Sequence, residues 1–363
     1  MRFMFISLLV SLVASTTMAR EPVRAWQGSR SVVKAHHLVP KVKSGEGYGE
    51  KYTFNADFGE RGSFYFSLAI TNLGFGDRKM EAKGRLTVDG ESFRWKKKLD
   101  SDEWSFTKAP NFSISAGPAT ISGTPRRLVM TAKTSGQTIE AVMTPIAQPW
   151  RPRNGQVLFG KKRAVTDFTV FPLGQVAVSY KTTGGEEKTV EGRGFGTRTW
   201  SELATYEQSR SSLEFRGISG DSTVYIREIM PSQEYEQNRV AYLLITKGKQ
   251  ILVESFDFEL RPTDVETDSK HPNRYKVPVS FDILGKDSED QTRLVLGRVV
   301  KKSLRSRSDM LKSMNSVVRM VAKRYSQPVS YSYETDFVFQ IKQGEDVQRL
   351  SGVGRYGVYH WKK

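Results

Sequence analysis

The sequence contains no cysteine in 363 residues. Disulfides, iron–sulfur clusters, zinc–thiolate sites and a thiol nucleophile are therefore excluded, as is the lipid-bearing cysteine of a bacterial lipoprotein. Histidine is almost as scarce, with four residues at positions 36, 37, 271 and 360, too few for a histidine-rich metal site. The adjacent His36-His37 pair, if on a strand, would point to opposite faces and would not share one ion. No G-x-S-x-G elbow and no G-K-[ST] P-loop is present, which removes two common catalytic and nucleotide-binding signatures. Beyond the first 19 residues no uninterrupted apolar run approaches the roughly 20 residues that cross a bilayer as a helix. Acidic side chains are also short: 39 against 56 lysines and arginines, a net charge of +17. Nothing in these patterns calls for a metal or a cofactor.

What is present begins with a targeting pattern. Met1-Arg2 is a short positive start, residues 3–14 are apolar, and Thr17-Met18-Ala19 is a small-x-small cleavage site. Residues 1–19 are expected to be a secretory signal peptide, which places the mature protein in the periplasm or outside the cell. Removing 19 of 363 residues leaves 344, enough for two domains by the usual size range. The basic excess favours acidic partners. For an exported chain these are anionic envelope surfaces rather than nucleic acid, even though stretches such as Phe93-Arg-Trp-Lys-Lys-Lys98 interleave aromatic and basic residues as base-stacking surfaces do.

Period-two patterning dominates the rest. Tyr52-Thr-Phe-Asn-Ala-Asp-Phe58 alternates apolar and polar residues, residues 64–70 are aromatic and β-branched, and Asp89-Gly90 joins two strand-like runs as a hairpin turn. Ser135-Gly136 is flanked in the same way, and ten further strand candidates follow between 165 and 341. This is an all-β pattern of short strands and tight turns, read as a sandwich or barrel. The polar stretches 201–211 and 262–273 are expected to be a linker and a loop.

One helix is expected, over 308–325. Met310, Leu311, Met314, Val317, Val318 and Val321 fall on one face at helical spacing, Ser308 is placed to cap it, and Lys312, Arg319, Lys323 and Arg324 make its flanks basic. Such a helix either packs on a barrel with a solvated face or touches an anionic membrane surface.

The segment Gly192-Arg-Gly-Phe-Gly-Thr-Arg-Thr-Trp200 has glycine at every second position. Its G-x-G-x-G spacing and β-prone continuation do not fit a dinucleotide loop, which needs G-x-G-x-x-G between a strand and a helix. Glycines that permit a bend or close backbone approach within a strand fit better. Arg198 and Trp200 then share one face, with Thr197 and Thr199 on the other. Gly352-x-Gly354, followed by Trp361, echoes the pattern 160 residues later, which suggests two copies of one β-domain.

With Ser201, this segment resembles the G-x-G/A-W-x-D-R/H-x-W-S/G motif of the AttH/carotenoid-hydratase (CrtC-like) family, itself similar to eukaryotic survival-factor proteins. Ser211 to Arg227 is similar to the hairpin that follows the motif in that family, and Asn55-Ala-Asp57 with Phe64 to Asn72 is similar to strands of its first barrel. The resemblance implies two tandem lipocalin-like (calycin) antiparallel barrels, with residues 20–200 in the first and 201–363 in the second. It also implies an apolar ligand, or hydratase or cyclase chemistry on an isoprenoid or polyene. The family's acidic position is Thr197 here, so the expected proton donor is missing. Outside candidates for an acid are Asp57, Glu202 and His360. The expectation is therefore an exported binding protein for a lipid or isoprenoid held in a barrel cavity, with Arg198, Trp200, Phe215, Tyr225 and Arg227 as binding residues.

Overall fold

The computed structural model describes residues 20–72, 77–108, 112–134, 136–161, 164–182, 184–236, 238–309, 311–312, 319–320, 323 and 326–361. The expected signal peptide lies outside the described residues. So do Met310, Met314, Val317, Val318, Val321 and Arg324 of the expected helix. Ser308 does not cap a helix: the strand Leu294–Asp309 runs through it, pairing Ser308 with Ser330. Among the described residues no helix is long and apolar enough to cross a membrane.

The chain forms two antiparallel sheets, one of strands between Val23 and Ser201, the other of nine strands between Ser209 and His360. The physical cause is the alternation. In Gly49–Asp57 the buried residues are Glu50, Tyr52, Phe54 and Ala56, every second position, and the intervening ones are exposed or half-buried. The sheets curl into two lipocalin-like barrels in tandem. Their interiors are filled by side chains: Phe54, Phe66, Trp95 and Phe112 in the first, Phe215, Phe281, Phe339 and Tyr356 in the second.

The glycine echo is a topological repeat. In the first barrel the strand Lys188–Ser201 returns to pair with Gly49–Asp57; in the second, Asp346–His360 returns to pair with Ser209–Ser219. Each is flanked on its other side by a long strand, Ala164–Thr182 and Val329–Gln343 respectively. On these returning strands Gly196 and Gly354 lie where an aromatic ring crosses the backbone. A Cβ on Gly196 would stand 2.3 Å from the Phe54 ring, and one on Gly354 would stand 2.6 Å from the Phe215 ring. Both rings thereby cover backbone that a side chain would otherwise hold apart.

Two polar stretches depart from expectation. Residues 201–211 contain the short helix Thr205–Gln208 and the start of the strand Ser209–Ser219. The expected loop 262–273 is in large part the strand Phe258–Thr267, the last in its sheet. Among the described residues its outer edge pairs with no further strand, so Pro262 and a run of exposed polar residues are tolerated there.

The barrels dock through a third apolar core, built from Trp26, Trp150, Phe168 and Phe195 on one side and Tyr225 and Tyr242 on the other. The Trp26 indole donates to the Ala241 carbonyl at 3.1 Å, and Trp150 donates to Glu254 at 2.8 Å. Arg30 completes the crossing by pairing with Glu254 at 2.6 Å.

Candidate functional site

The strand Lys188–Ser201 has two working faces. Inward, Arg198 is fully buried and meets carboxylates from both neighbouring strands: Glu50 at 2.8 Å and Asp167 at 3.5 Å. Arg151 pairs with Asp167 at 2.5 Å. Glu50 also accepts the Lys41 and Val42 backbone N–H groups at 2.5 and 2.8 Å, and the Tyr48 hydroxyl. Tyr52, opposite Arg198 in the register, donates to the Leu38 carbonyl at 2.7 Å. Burial works against the charge on Arg198, but the oxygens of Tyr52, Glu50 and Asp167 outweigh it and hold the guanidinium above its ordinary range. The network bonds three strands and the 38–42 segment into one unit.

Outward, the same strand forms one wall of a cleft between the barrels. Thr197 and Thr199 face Ser212 and Arg227 across a cavity of about 620 Å³, with Trp200 and Trp361 at its walls. The tryptophans of the two glycine motifs thus line one space. Among the described residues neither buried indole N–H has an acceptor, nor does the buried Arg227 Nε. Lys43 sits over the Trp200 ring at 4.9 Å, and Arg227 lies 5.2 Å above Phe168. Arg227 pairs with Glu214 at 3.0 Å. A second cavity of about 330 Å³ adjoins the first and shares Asn55, Phe195 and Arg216 with it. Arg216 stacks on Phe195 at 4.3 Å and divides the two.

Of the residues expected to bind ligand, Trp200 and Arg227 line the large cavity. Tyr225 lies in the junction core beneath, its hydroxyl pushed up to about 12 first by burial. Arg198 is turned into the first barrel, and Phe215 into the core of the second, against Phe337 at 5.7 Å. Of the acid candidates, Asp57 is half exposed and pairs with Arg355 of the second barrel at 2.6 Å. Glu202 pairs with Lys43 and accepts the Val165 N–H at 2.8 Å. Sequence reasoning missed Glu50, Asp167, Arg216 and Trp361. Glu50 left a local signal, a carboxylate at an inward position of an alternating strand, and Trp361 left the glycine echo that precedes it.

His36 and His37 are not on a strand. They occupy a single 3-10 turn with ring centroids 4.1 Å apart, and His37 Nδ1 accepts the Lys34 N–H at 2.9 Å. His360 stacks on Tyr275 at 4.3 Å, with His271 on the same tyrosine at 4.7 Å. Burial, then the neighbouring His271, lowers His360 from 6.5 to about 4. The neutral form is the one that folds, so this contribution to stability is present above pH 6.5 and is lost as pH falls toward 4. His37, lowered by burial to about 3, adds the same sign. Urea midpoints measured at pH 7 and pH 4.5 are expected to drop for the native protein and to drop less for His360→Phe. Equal drops would assign the acid sensitivity elsewhere.

No family model and no curated protein matches this sequence. Solved structures do match its shape. CghA in complex with Sch210972 aligns over 93% of this chain and 95% of its own, with a TM-score of 0.60 and 9% identity. An AttH-type protein of Nitrosomonas europaea aligns over 86% and 92%, at 0.55 and 13% identity. Kievitone hydratase of Nectria haematococca aligns over 92% and 97%, at 0.50 and 11% identity. At these identities the likeness is one of fold: the tandem lipocalin-like barrels of AttH-type proteins.

Proposed function

We propose that the protein binds an amphipathic ligand, a lipid or isoprenoid bearing hydrogen-bond acceptors, in the cleft between its barrels rather than inside either one. The observation that carries this is a cavity of about 620 Å³ walled by Trp200 and Trp361, whose indole N–H groups have no acceptor among the described residues. A buried donor left without an acceptor costs roughly 1–3 kcal/mol, a penalty that an oxygen-bearing ligand removes. The interiors of both barrels are already filled by aromatic side chains, which leaves the junction as the natural concave site. CghA, of the same fold, has been solved with the small molecule Sch210972. Glu202 and Asp57 are each tied to a basic side chain, which favours holding a ligand over hydrating one. Under the same reading residues 1–19 export the chain, and the ligand is met in the periplasm or outside the cell.

The test is native mass spectrometry of the mature protein from its own host, with organic extraction of what it carries. A co-purifying lipid or isoprenoid is expected. Trp361→Phe and Trp200→Phe keep the ring and remove the donor, and each is expected to weaken that ligand about two- to tenfold, the worth of one hydrogen bond. Protein that carries nothing and takes up nothing from an envelope lipid extract would overturn the proposal, as would full affinity in both variants.

A further inference from the structure

We infer that the smaller cavity is a separate anion subsite, built to take a carboxylate or phosphate monoester borne on an apolar chain. Its walls carry four arginines, Arg193, Arg216, Arg305 and Arg355, against two carboxylates, Asp57 and Glu334. The remaining wall includes the apolar residues Ala56, Pro172, Ile218 and Val353. The arginines come from four separate strands. Arg193 is on the returning strand of the first barrel, Arg216 and Arg355 are on paired strands of the second, and Arg305 is on the strand Leu294–Asp309.

The placement is costly without an anion. Arg216 and Arg355 are direct cross-strand partners, and like charges in that position destabilise a sheet. Asp57 reaches across from the first barrel to offset Arg355, and Glu214 lies 3.2 Å from Arg216. Glu334, the cross-strand partner of Arg355 on its other side, is shared with Lys302 at 3.7 Å. Arg193 and Arg305 have no carboxylate within ion-pair distance among the described residues. Burial, then the charge of Arg305, depresses the Arg355 guanidinium below its ordinary range, the direction expected where positive charges crowd. Guanidinium groups offer paired donors that match carboxylate and phosphate oxygens, and apolar walls lower the local dielectric and strengthen that attraction. The Arg216–Phe195 stack is the partition with the larger cavity, so an acid group here continues into a tail there. The tail rests on the cleft reading; the anion contacts do not.

The experiment is calorimetric titration of the full mature chain with dodecyl phosphate, dodecanoate, dodecanol and inorganic phosphate, each at low and high salt. Both acids are expected to bind at least about tenfold tighter than the alcohol, with the advantage lost at high salt. Arg305→Gln, at an exposed position, and Arg355→Gln are expected to weaken the acids about fivefold or more and to leave dodecanol unchanged. If inorganic phosphate binds in an Arg305-dependent way while no amphiphile does, the subsite stands and the cleft reading falls. If all three amphiphiles bind alike in native and variant proteins, the cleft reading stands and the subsite falls. No binding by any of the four probes would overturn both.

Discussion

Replacing Arg198 by leucine is expected to destabilise the protein by about 3–5 kcal/mol, the usual effect of removing one member of a buried ion pair. The size follows from what is left behind. Arg198 is fully buried, and without it Glu50 and Asp167 lose the cation lying between them. Glu50 keeps its two backbone donors and Tyr48, but a carboxylate in an apolar barrel is costly without its counter-charge. Arg198→Lys restores a charge without the planar guanidinium whose Nη2 donates to both Glu50 and the Val39 carbonyl, and should recover only part of the loss. Urea denaturation of both variants, followed by tryptophan fluorescence, gives the comparison. If Arg198→Leu unfolds within about 1 kcal/mol of the native protein, Arg198 is not the centre of the first barrel's polar network and becomes available again as a ligand contact.

The second large effect is at the junction. Trp26→Ala should cost roughly 3–5 kcal/mol, as for other buried tryptophans truncated to alanine. Trp26 meets Phe168 at 5.7 Å and Tyr242 at 5.4 Å, rings that belong to different barrels, and donates to Ala241. Its removal opens a cavity at the seam rather than within either barrel. The loss should therefore appear as uncoupling: one unfolding transition in the native protein and two in the variant, with each barrel's own core retained. A single transition shifted as a whole would show instead that the barrels fold as one unit whose coupling survives the loss of this contact.

Much of the architecture is legible in the residues because strand patterning is local. Every second residue of Gly49–Asp57 announces which face is covered, whereas in Lys188–Ser201 Gly194, Phe195 and Gly196 are all buried and the alternation breaks. The repeat is legible too, because Gly192-x-Gly194 and Gly352-x-Gly354 each fall on the strand that returns to close its sheet. The candidate site is far less legible. Arg198, taken from sequence as a headgroup ligand, finds Glu50 at a separation of 148 residues, and Asp57 finds Arg355 at 298. No pattern within a window of a strand's length reports such partners. Phe195, on the outward face, looks like a strand residue met by water; a second barrel covers it, and the cleft exists for that reason.

The sequence by itself determined that this is an all-β chain with two related halves, without metal-binding thiols and with a strong positive charge. Those properties follow from side-chain period, glycine placement and composition, which need no knowledge of distant contacts. Only the tertiary structure decided that Arg198 is enclosed with Glu50 and Asp167, that Trp200 and Trp361 border one cleft, and that four arginines ring the cavity beside it. Each of these depends on strand register and on how one curled sheet settles against another. Both are set by the summed packing of many residues far apart in the chain, so no single stretch encodes them.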